Sequence, residues 1–186
     1  MFAMATKTLL TIEQYNALDE PVGVRYELDR GELIVTPSPV PMHNIICGEL
    51  HGLLNSWAKE YNLGQVICEV DVRLGEDTIR RPDLMFFVRE RIKDLDLEHA
   101  PLPIAPDLVI EVVSKHDQPD DLMLKVRQYR QAGVRAVWLF YRKTREAYRY
   151  TPEDSQPSVI NAERGGKFEE PELLPGFSLP LSKILH

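Results

Sequence analysis

Hydrophobic and polar residues follow one another along the first part of the chain in patterns typical of a short helix and a hairpin. Residues 11–18 predict a helix with Thr11 as its N-cap, because the threonine hydroxyl can accept a hydrogen bond from a free backbone N–H. Apolar and aromatic residues flank the Asp-Arg-Gly sequence at 29–31, where glycine permits a positive φ. Residues 24–28 and 32–36 are therefore predicted to pair as antiparallel strands.

The middle of the chain predicts a long helix followed by a second hairpin. Apolar positions recur at helical spacing across residues 42–61, which indicates one face packed on a sheet. Residues 65–75 and 78–88 are rich in β-branched and aromatic side chains and meet across a Gly-Glu-Asp sequence, which predicts two paired strands. Strict alternation places Glu69 and Asp71 on one face of the first strand.

Two acidic residues lie within strands that are otherwise apolar. Asp83 lies in the sequence IRRPDLMFFV, and Glu111 lies in DLVIEVVS, which is apolar enough to predict a central strand. An ionised carboxylate in a buried strand is costly unless a cation compensates its charge. Two such strands suggest that the carboxylates share a cation.

A second helix is predicted over residues 120–132, with Gly133 in the position expected to end it. The apolar sequence AVWLFY after it predicts another buried strand. Helical spacing places Lys125 on the same stripe as Leu122, so its side chain is directed toward the sheet. The alternative is that only its stem packs at the edge of the stripe while the ammonium group extends into water.

Composition is that of a soluble globular protein with one domain over residues 1–186, since 44% of the 186 residues are apolar and 27% are charged. Residues 1–7 are predicted to be disordered, and residues 151–186, rich in proline, glycine and charge, are predicted to wrap the domain. The chain has no apolar stretch long enough to cross a membrane and no hydrophobic signal core, so a cytoplasmic location is expected. Cys47 and Cys68 lie among apolar neighbours without metal-ligand spacing and are predicted to be buried free thiols.

The charge of the chain is unevenly distributed. Its net charge is −7, yet residues 125–149 carry eight basic side chains and one acidic side chain, and the remainder sums to −14. A net negative charge argues against a nucleic-acid partner, whereas a locally cationic segment favours one. The alternative for this segment is a solvated helix face followed by an exposed hairpin. Glycine-rich phosphate loops are absent from the sequence, so no nucleotide cofactor is expected.

Six short segments of the chain, taken in order, contain the most informative sequence motifs. They are YELDRGELI, PMHNIICGELHGLL, RRPDLMF, PDLVIEVVS, LKVRQYRQAGVRAVWLF and LLPGFSLPL. The chain resembles the PD-(D/E)xK superfamily and, more closely, the Uma-two family of restriction-endonuclease-like proteins, over roughly residues 8–186. The resemblance implies an α/β, restriction-endonuclease-like fold with a central mixed β-sheet, flanking helices and an N-terminal β-hairpin.

The resemblance also implies a metal-dependent endonuclease that hydrolyses phosphodiester bonds. Asp83 and Glu111 match the two motif carboxylates and are expected to bind Mg²⁺ or Mn²⁺, which prefer oxygen ligands. Glu27 matches an acidic position of the first hairpin and is expected as a further ligand or supporting group, with an exposed hairpin carboxylate as the alternative. The motif lysine is missing, because Val113 occupies its position. The resemblance suggests that Lys125 supplies the ammonium group from the following helix.

Other residues are weaker candidates for the site. Asp107, the second Pro-Asp aspartate, fits a strand-start residue near the surface better than a ligand, and His43 fits a neutral core histidine better than a catalytic one. Together with Tyr129, these two are candidates for a supporting shell around the site. Candidate nucleic-acid-binding residues come from the cationic segment: Arg127, Arg130, Arg142, Lys143 and Arg145.

Two functional classes remain open at this stage. The first is a nuclease that acts on nucleic acid, with DNA as the expected substrate and a homodimer as the expected assembly by analogy. The second is a catalytically inactive relative that keeps the fold and binds nucleic acid or a protein, with the carboxylates as a structural cation site or a charge-paired cluster.

Overall fold

Helices and strands alternate in a mixed α/β fold in this computed structural model, which describes residues 9–93, 95–115 and 117–185. The predicted disorder of residues 1–7 concerns a segment outside the described residues. The helices are α1 (Ile12–Asn16), α2 (Pro41–Glu60), α3 (Arg89–Ile92) and α4 (Pro119–Gln131), with 3-10 turns at Ala162–Arg164 and Leu181–Lys183. The strands are β1 (Val24–Asp29), β2 (Glu32–Pro37), β3 (Gly64–Cys68), β4 (Val72–Arg73), β5 (Ile79–Arg80), β6 (Leu84–Val88), β7 (Leu108–Val112), β8 (Ala136–Tyr141), β9 (Glu146–Tyr150), β10 (Ser158–Asn161), β11 (Lys167–Phe168) and β12 (Leu179–Pro180).

A six-stranded mixed sheet forms the centre of the fold, in the order β10-β9-β8-β7-β6-β3. β7 and β8 pair in parallel and are connected through α4, whereas the other neighbours pair antiparallel. All five residues of β7 are buried, as expected for an interior strand covered on both faces. The expected central mixed sheet, its flanking helices and the interior position of β7 are confirmed.

The N-terminal hairpin is also confirmed, as β1 pairs antiparallel with β2. Its turn places Arg30 and Gly31 at φ values of 50° and 80°, the region in which glycine has no steric penalty. This hairpin belongs to a separate four-stranded sheet in the order β2-β1-β5-β4. α1 begins with the predicted Thr11 cap, whose hydroxyl accepts the Gln14 N–H at 3.2 Å.

The second predicted hairpin is a single pairing that bends from one sheet into the other. β3 pairs with β6 in the large sheet and β4 pairs with β5 in the small one, and the same register runs through both. The prediction of two uninterrupted strands is wrong, because Glu69 adopts a left-handed φ of 53° and ends β3. The bend turns the residues before β6 toward the junction of the two sheets.

The main hydrophobic core lies between α2 and one face of the large sheet. Ile46, Leu50 and Leu54 of α2 are at most 1% exposed and share this core with Leu108 and Ile110 of β7. The C-terminal segment closes the core, contributing side chains that are fully or almost fully buried: Phe168, Leu174, Leu179, Leu181, Ile184 and Leu185.

The described residues include no helix with both the length and the apolar character needed to span a membrane. Cys47 and Cys68 are free thiols, as predicted, although Cys68 is only partly buried.

Candidate active site

Asp83 precedes β6 at the point where the two sheets diverge, and its carboxylate is 95% buried. Its Oδ2 atom accepts the backbone N–H of Val112 at 2.8 Å and lies 3.0 Å from Nε2 of His43. Its Oδ1 atom lies 3.4 Å from a guanidinium nitrogen of Arg25. One oxygen is therefore fixed by two donors, while the other faces the cleft beside a cation.

Glu111 occupies the position in β7 that corresponds to Asp83 across the strand pair. Leu84 of β6 pairs with Ile110 of β7, so continuing the antiparallel register brings Asp83 opposite Glu111. Side chains at such directly opposed positions have Cβ atoms about 4.5–5.5 Å apart. The two carboxylates that the sequence singled out thus lie side by side, and both line one cleft.

The environment of Glu111 disfavours its negative charge in the metal-free protein. Burial raises the pKa of Glu111 to about 7; Lys125 opposes this change, and the nearby carboxylates of Asp83 and Glu27 reinforce it. Its Oε1 atom accepts the hydroxyl hydrogen bond of Tyr129 at 2.6 Å. Within the described part of the chain, its Oε2 atom has no hydrogen-bond donor. A bound cation would stabilise the ionised form of a carboxylate in this environment.

Lys125 of α4 brings its ammonium group to the same place. The Nζ atom lies 3.0 Å from Oε1 of Glu27, and the side chain is 23% exposed. Burial acts to lower the pKa of Lys125, but the charges of Glu27 and Glu111 outweigh it and hold that pKa above its ordinary value. Val113, at the motif position, lines the cleft with an apolar side chain.

Glu27 is surrounded by donors and is only 3% exposed. Its Oε1 atom accepts the Arg81 N–H at 2.9 Å as well as the Lys125 ammonium, and its Oε2 atom lies 3.0 Å from Arg80. Burial would raise the pKa of Glu27, yet Lys125 and Arg80 together hold it below its ordinary value. The alternative of an exposed hairpin carboxylate is wrong, because β1 lies inside the small sheet between β2 and β5.

Arg80 is a buried site residue that the sequence reasoning missed. It is 3% exposed and donates to Glu27 at 3.0 Å and to Gln128 at 2.8 Å, while Gln128 donates to Asp29 at 2.6 Å. Such a network holds β1, β5 and α4 together around the site. The available signal was an arginine at an inward position of a strand, next to the Pro-Asp sequence.

His43 faces the site and is not an isolated core histidine. Burial acts to lower its pKa, but the hydrogen bond and charge of Asp83 outweigh it and raise the pKa of His43. On its other side, Nδ1 lies 3.5 Å from the Cys47 sulfur, one helical turn away. Burial raises the pKa of the Cys47 thiol well above its ordinary value.

His43, Cys47 and Asp83 place potential metal-ligand atoms within 4.8 Å of one another. Their mutual hydrogen bonds already account for this proximity, and a histidine–thiol pair suits softer metals than Mg²⁺. The donors that suit a hard divalent cation are instead the cleft-facing oxygens of Asp83 and Glu111.

The remaining candidates lie elsewhere. Asp107 is 2% exposed, accepts the Val88 N–H at 3.0 Å and pairs with Arg91 at 3.0 Å, at the start of β7 and away from Glu111 at its other end. It is a strand-start residue as expected, but a buried one. Arg127 and Arg130 border a separate depression beside Pro152.

The cationic segment contributes unequally to the cleft, which has a volume of about 480 Å³. Arg142 and Lys143, in the turn between β8 and β9, line it and are exposed. Arg145 is directed away, since it pairs with Glu163 at 3.6 Å and donates to the Leu185 carbonyl at 2.9 Å. Of the five predicted nucleic-acid-binding residues, two therefore border the cleft.

Comparison with known proteins identifies the fold and the family of the chain. A crystal structure described as "a putative nuclease belonging to DUF820 from Anabaena variabilis ATCC 29413" superposes with a TM-score of 0.83 at 21% sequence identity, covering 95% of this chain and 97% of that one. This likeness shows a shared fold. No protein with a curated description has a significantly similar sequence. The Uma2 family profile, described as "Putative restriction endonuclease", matches residues 12–182. The chain therefore belongs to the Uma2 family.

Proposed function

We propose that this protein is a divalent-metal-dependent nuclease that hydrolyses phosphodiester bonds in the cleft. The observation that carries the proposal is the placement of Asp83, just before β6, beside Glu111 of β7, with the Lys125 ammonium from α4 near them. Membership of a family described as a restriction endonuclease supports the same reaction class.

Asp83 and Glu111 would hold the metal, with Mg²⁺ or Mn²⁺ as the expected ion because both prefer oxygen ligands. The donor set fits, since each of the two residues has one oxygen held by donors of the protein, both residues line the cleft, and carboxylate oxygens suit a hard cation. When bound, such an ion polarises a scissile phosphate and lowers the pKa of a bound water molecule.

The surrounding residues position these groups. The Val112 N–H and His43 fix Oδ2 of Asp83, and the Tyr129 hydroxyl fixes Oε1 of Glu111. Ligand orientation by such neighbouring hydrogen bonds is a general requirement of metal sites.

Glu27 acts as the anchor of Lys125, because its two oxygens are occupied by Arg80, Arg81 and Lys125 itself. An ammonium group held at a fixed point beside the carboxylates can stabilise the negative charge that develops on the phosphoryl oxygens. Lys125 thereby takes the part that Val113 cannot perform at the motif position. DNA as the substrate and a homodimeric assembly remain predictions.

One observation favours the alternative of a catalytically inactive relative that only binds nucleic acid or protein. The Arg25 guanidinium lies 3.4 Å from Asp83 and also pairs with Glu69, so a protein cation already offsets part of the site's negative charge. In an inactive relative the carboxylates would serve as such a charge-paired cluster, which binds no ion, or as a structural cation site. Calorimetric titration with Mn²⁺ tests the first form, because ion binding at the carboxylate pair would exclude it, and the cleavage assay separates the second form from the nuclease.

The decisive experiment is cleavage of pooled single- and double-stranded DNA and RNA in the presence of Mg²⁺ or Mn²⁺. The Asp83→Asn variant keeps the size and most hydrogen bonds of the side chain but loses its charge, so we expect it to lose both cleavage and Mn²⁺ uptake. Asp19→Asn is the matched control, because Asp19 is exposed and outside the cleft. Equal cleavage by wild type and Asp83→Asn would contradict the proposed mechanism.

A further inference from the structure

The cleft has a cationic border built from the loops that follow β7 and β8. Lys115, Arg142 and Lys143 line it, and all three are exposed. Within the described part of the chain, none of the three forms an ion pair. One acid, Asp117, accompanies them, and its carboxylate accepts the Ser114 N–H at 2.7 Å. This border therefore retains a net positive charge that the protein does not use internally.

A second border, between β2 and α2, has a different chemistry. Its residues, 36–40 and 42, include two prolines and no charged side chain. Val40 and Met42 are 44% and 39% exposed, although both are apolar. At the edge of a cleft, such side chains offer an apolar contact to a bound ligand.

These two borders suit a single strand better than a duplex. A double helix carries phosphates on both strands and hides its base faces by stacking and pairing, so a cleft around it needs cations on both sides. A single strand presents phosphates and unpaired base faces, which proteins bind with cationic grooves and apolar or aromatic platforms respectively. The cleft volume of about 480 Å³ is also in the range of pockets for small molecules, about 300–1,000 Å³.

We propose that the cleft binds single-stranded nucleic acid, with phosphates at Lys115, Arg142 and Lys143 and unpaired bases against Val40 and Met42. The inference rests on the proposed function and narrows its substrate. It predicts that regions of unpaired DNA or RNA, and not intact duplex, are the sites of attack.

Binding can be measured separately from cleavage by fluorescence anisotropy with Ca²⁺ in place of Mg²⁺. The probes are a labelled oligothymidylate and a labelled blunt duplex of the same length. We expect the single strand to bind about tenfold more tightly than the duplex, because only the single strand can use both borders.

Two sets of variants test the borders. In the Val40→Ser, Met42→Ser double variant, serine is a favourable N-cap at position 40 of α2, so the helix is retained. We expect its affinity for the single strand to fall about fivefold and its affinity for the duplex to stay unchanged. Leu53→Ser is the matched control, since Leu53 is 43% exposed on α2 but outside the cleft.

The Arg142→Ala, Lys143→Ala double variant tests the cationic border. Removing two phosphate contacts should lower the slope of log affinity against log salt by about 1.4, at about 0.7 per contact for single strands. Lys59→Ala, an exposed change on α2, should leave the slope unaltered.

The outcomes distinguish this inference from the proposed function. Duplex binding as tight as single-strand binding, or no binding of either, overturns the single-strand inference. Cleavage of a duplex in Mg²⁺ would at the same time leave the nuclease proposal intact. Preferential single-strand binding that responds to both sets of variants supports the inference, even if no cleavage follows and the nuclease proposal fails.

Discussion

Replacing Glu111 by glutamine should stabilise the metal-free protein at neutral and alkaline pH. Burial raises the pKa of Glu111 in the folded protein to about 7 from an ordinary value of 4.5. Below pH 4.5 the group is protonated in both the folded and unfolded states, so it does not affect the free energy of unfolding. Between pH 4.5 and 7 the unfolded state loses the proton first, and the folded state becomes progressively less stable.

The magnitude follows from the two pKa values, which differ by about 2.5. At about 1.4 kcal/mol for each pKa unit, ionised Glu111 destabilises the fold by about 3 kcal/mol above pH 7. Glutamine is uncharged at every pH and can still accept the Tyr129 hydroxyl hydrogen bond, while Lys125 keeps its contact with Glu27. For a chain of this size, 3 kcal/mol corresponds to about 6–12 °C in melting temperature.

The assay is chemical denaturation of wild type and Glu111→Gln in EDTA, at pH 5 and at pH 8. We expect the variant to be more stable by less than about 1 kcal/mol at pH 5 and by about 3 kcal/mol at pH 8. Glu49→Gln, which removes an exposed carboxylate of α2, should show no such dependence on pH. A stability difference between Glu111→Gln and wild type that is the same at both pH values would refute the reasoning.

Three further predictions concern the same site. Saturating Mn²⁺ should raise the melting temperature of wild type by about 5–11 °C when its concentration is one hundred times the dissociation constant. It should not raise the melting temperature of Glu111→Gln, and an equal rise in both proteins would exclude Glu111 as a ligand. Arg25→Ala should tighten Mn²⁺ binding about threefold to tenfold in calorimetry, because it removes the cation beside Asp83. Arg25→Lys keeps the charge and should change the affinity less. Weaker binding by the alanine variant would contradict competition between Arg25 and the metal ion. Glu27→Gln should lower the free energy of unfolding by about 3 kcal/mol in urea, since it removes the carboxylate that pairs with Lys125 and one of the two that pair with Arg80, which keeps Asp29 at 3.4 Å. A loss below about 1 kcal/mol would show that other groups compensate.

Local patterns were sufficient for much of the fold. Both hairpins and the two long helices follow from spacings of two and about 3.6 residues, because each pattern reflects burial of one face of its own element. The register of the second hairpin was predictable, but its bend was not. Nothing in the alternation of residues 65–75 signals the left-handed φ at Glu69 that moves the chain into a second sheet.

The residues of the site were likewise predictable only in part. Asp83 and Glu111 were identifiable because an acid in an apolar strand is costly without a compensating partner, and the inward direction of Lys125 follows from helical spacing. The anchor of Lys125 was not identifiable, since Glu27 is 98 residues away in sequence. The contacts of Arg25 and Arg80 with acidic residues likewise form only when folding brings β1, β5 and β6 together.

The sequence by itself determined which apolar faces would be buried, where most helices and strands would form, and which two acidic residues would lie in apolar strands. Only the tertiary structure decided which charges meet: the pairing of Glu27 with Lys125 and Arg80, the contact of His43 with Asp83, and the position of Arg142 and Lys143 at the cleft. The physical reason is that the cost of burial belongs to each residue and is visible in local sequence, whereas its compensation depends on groups that folding brings from distant parts of the chain.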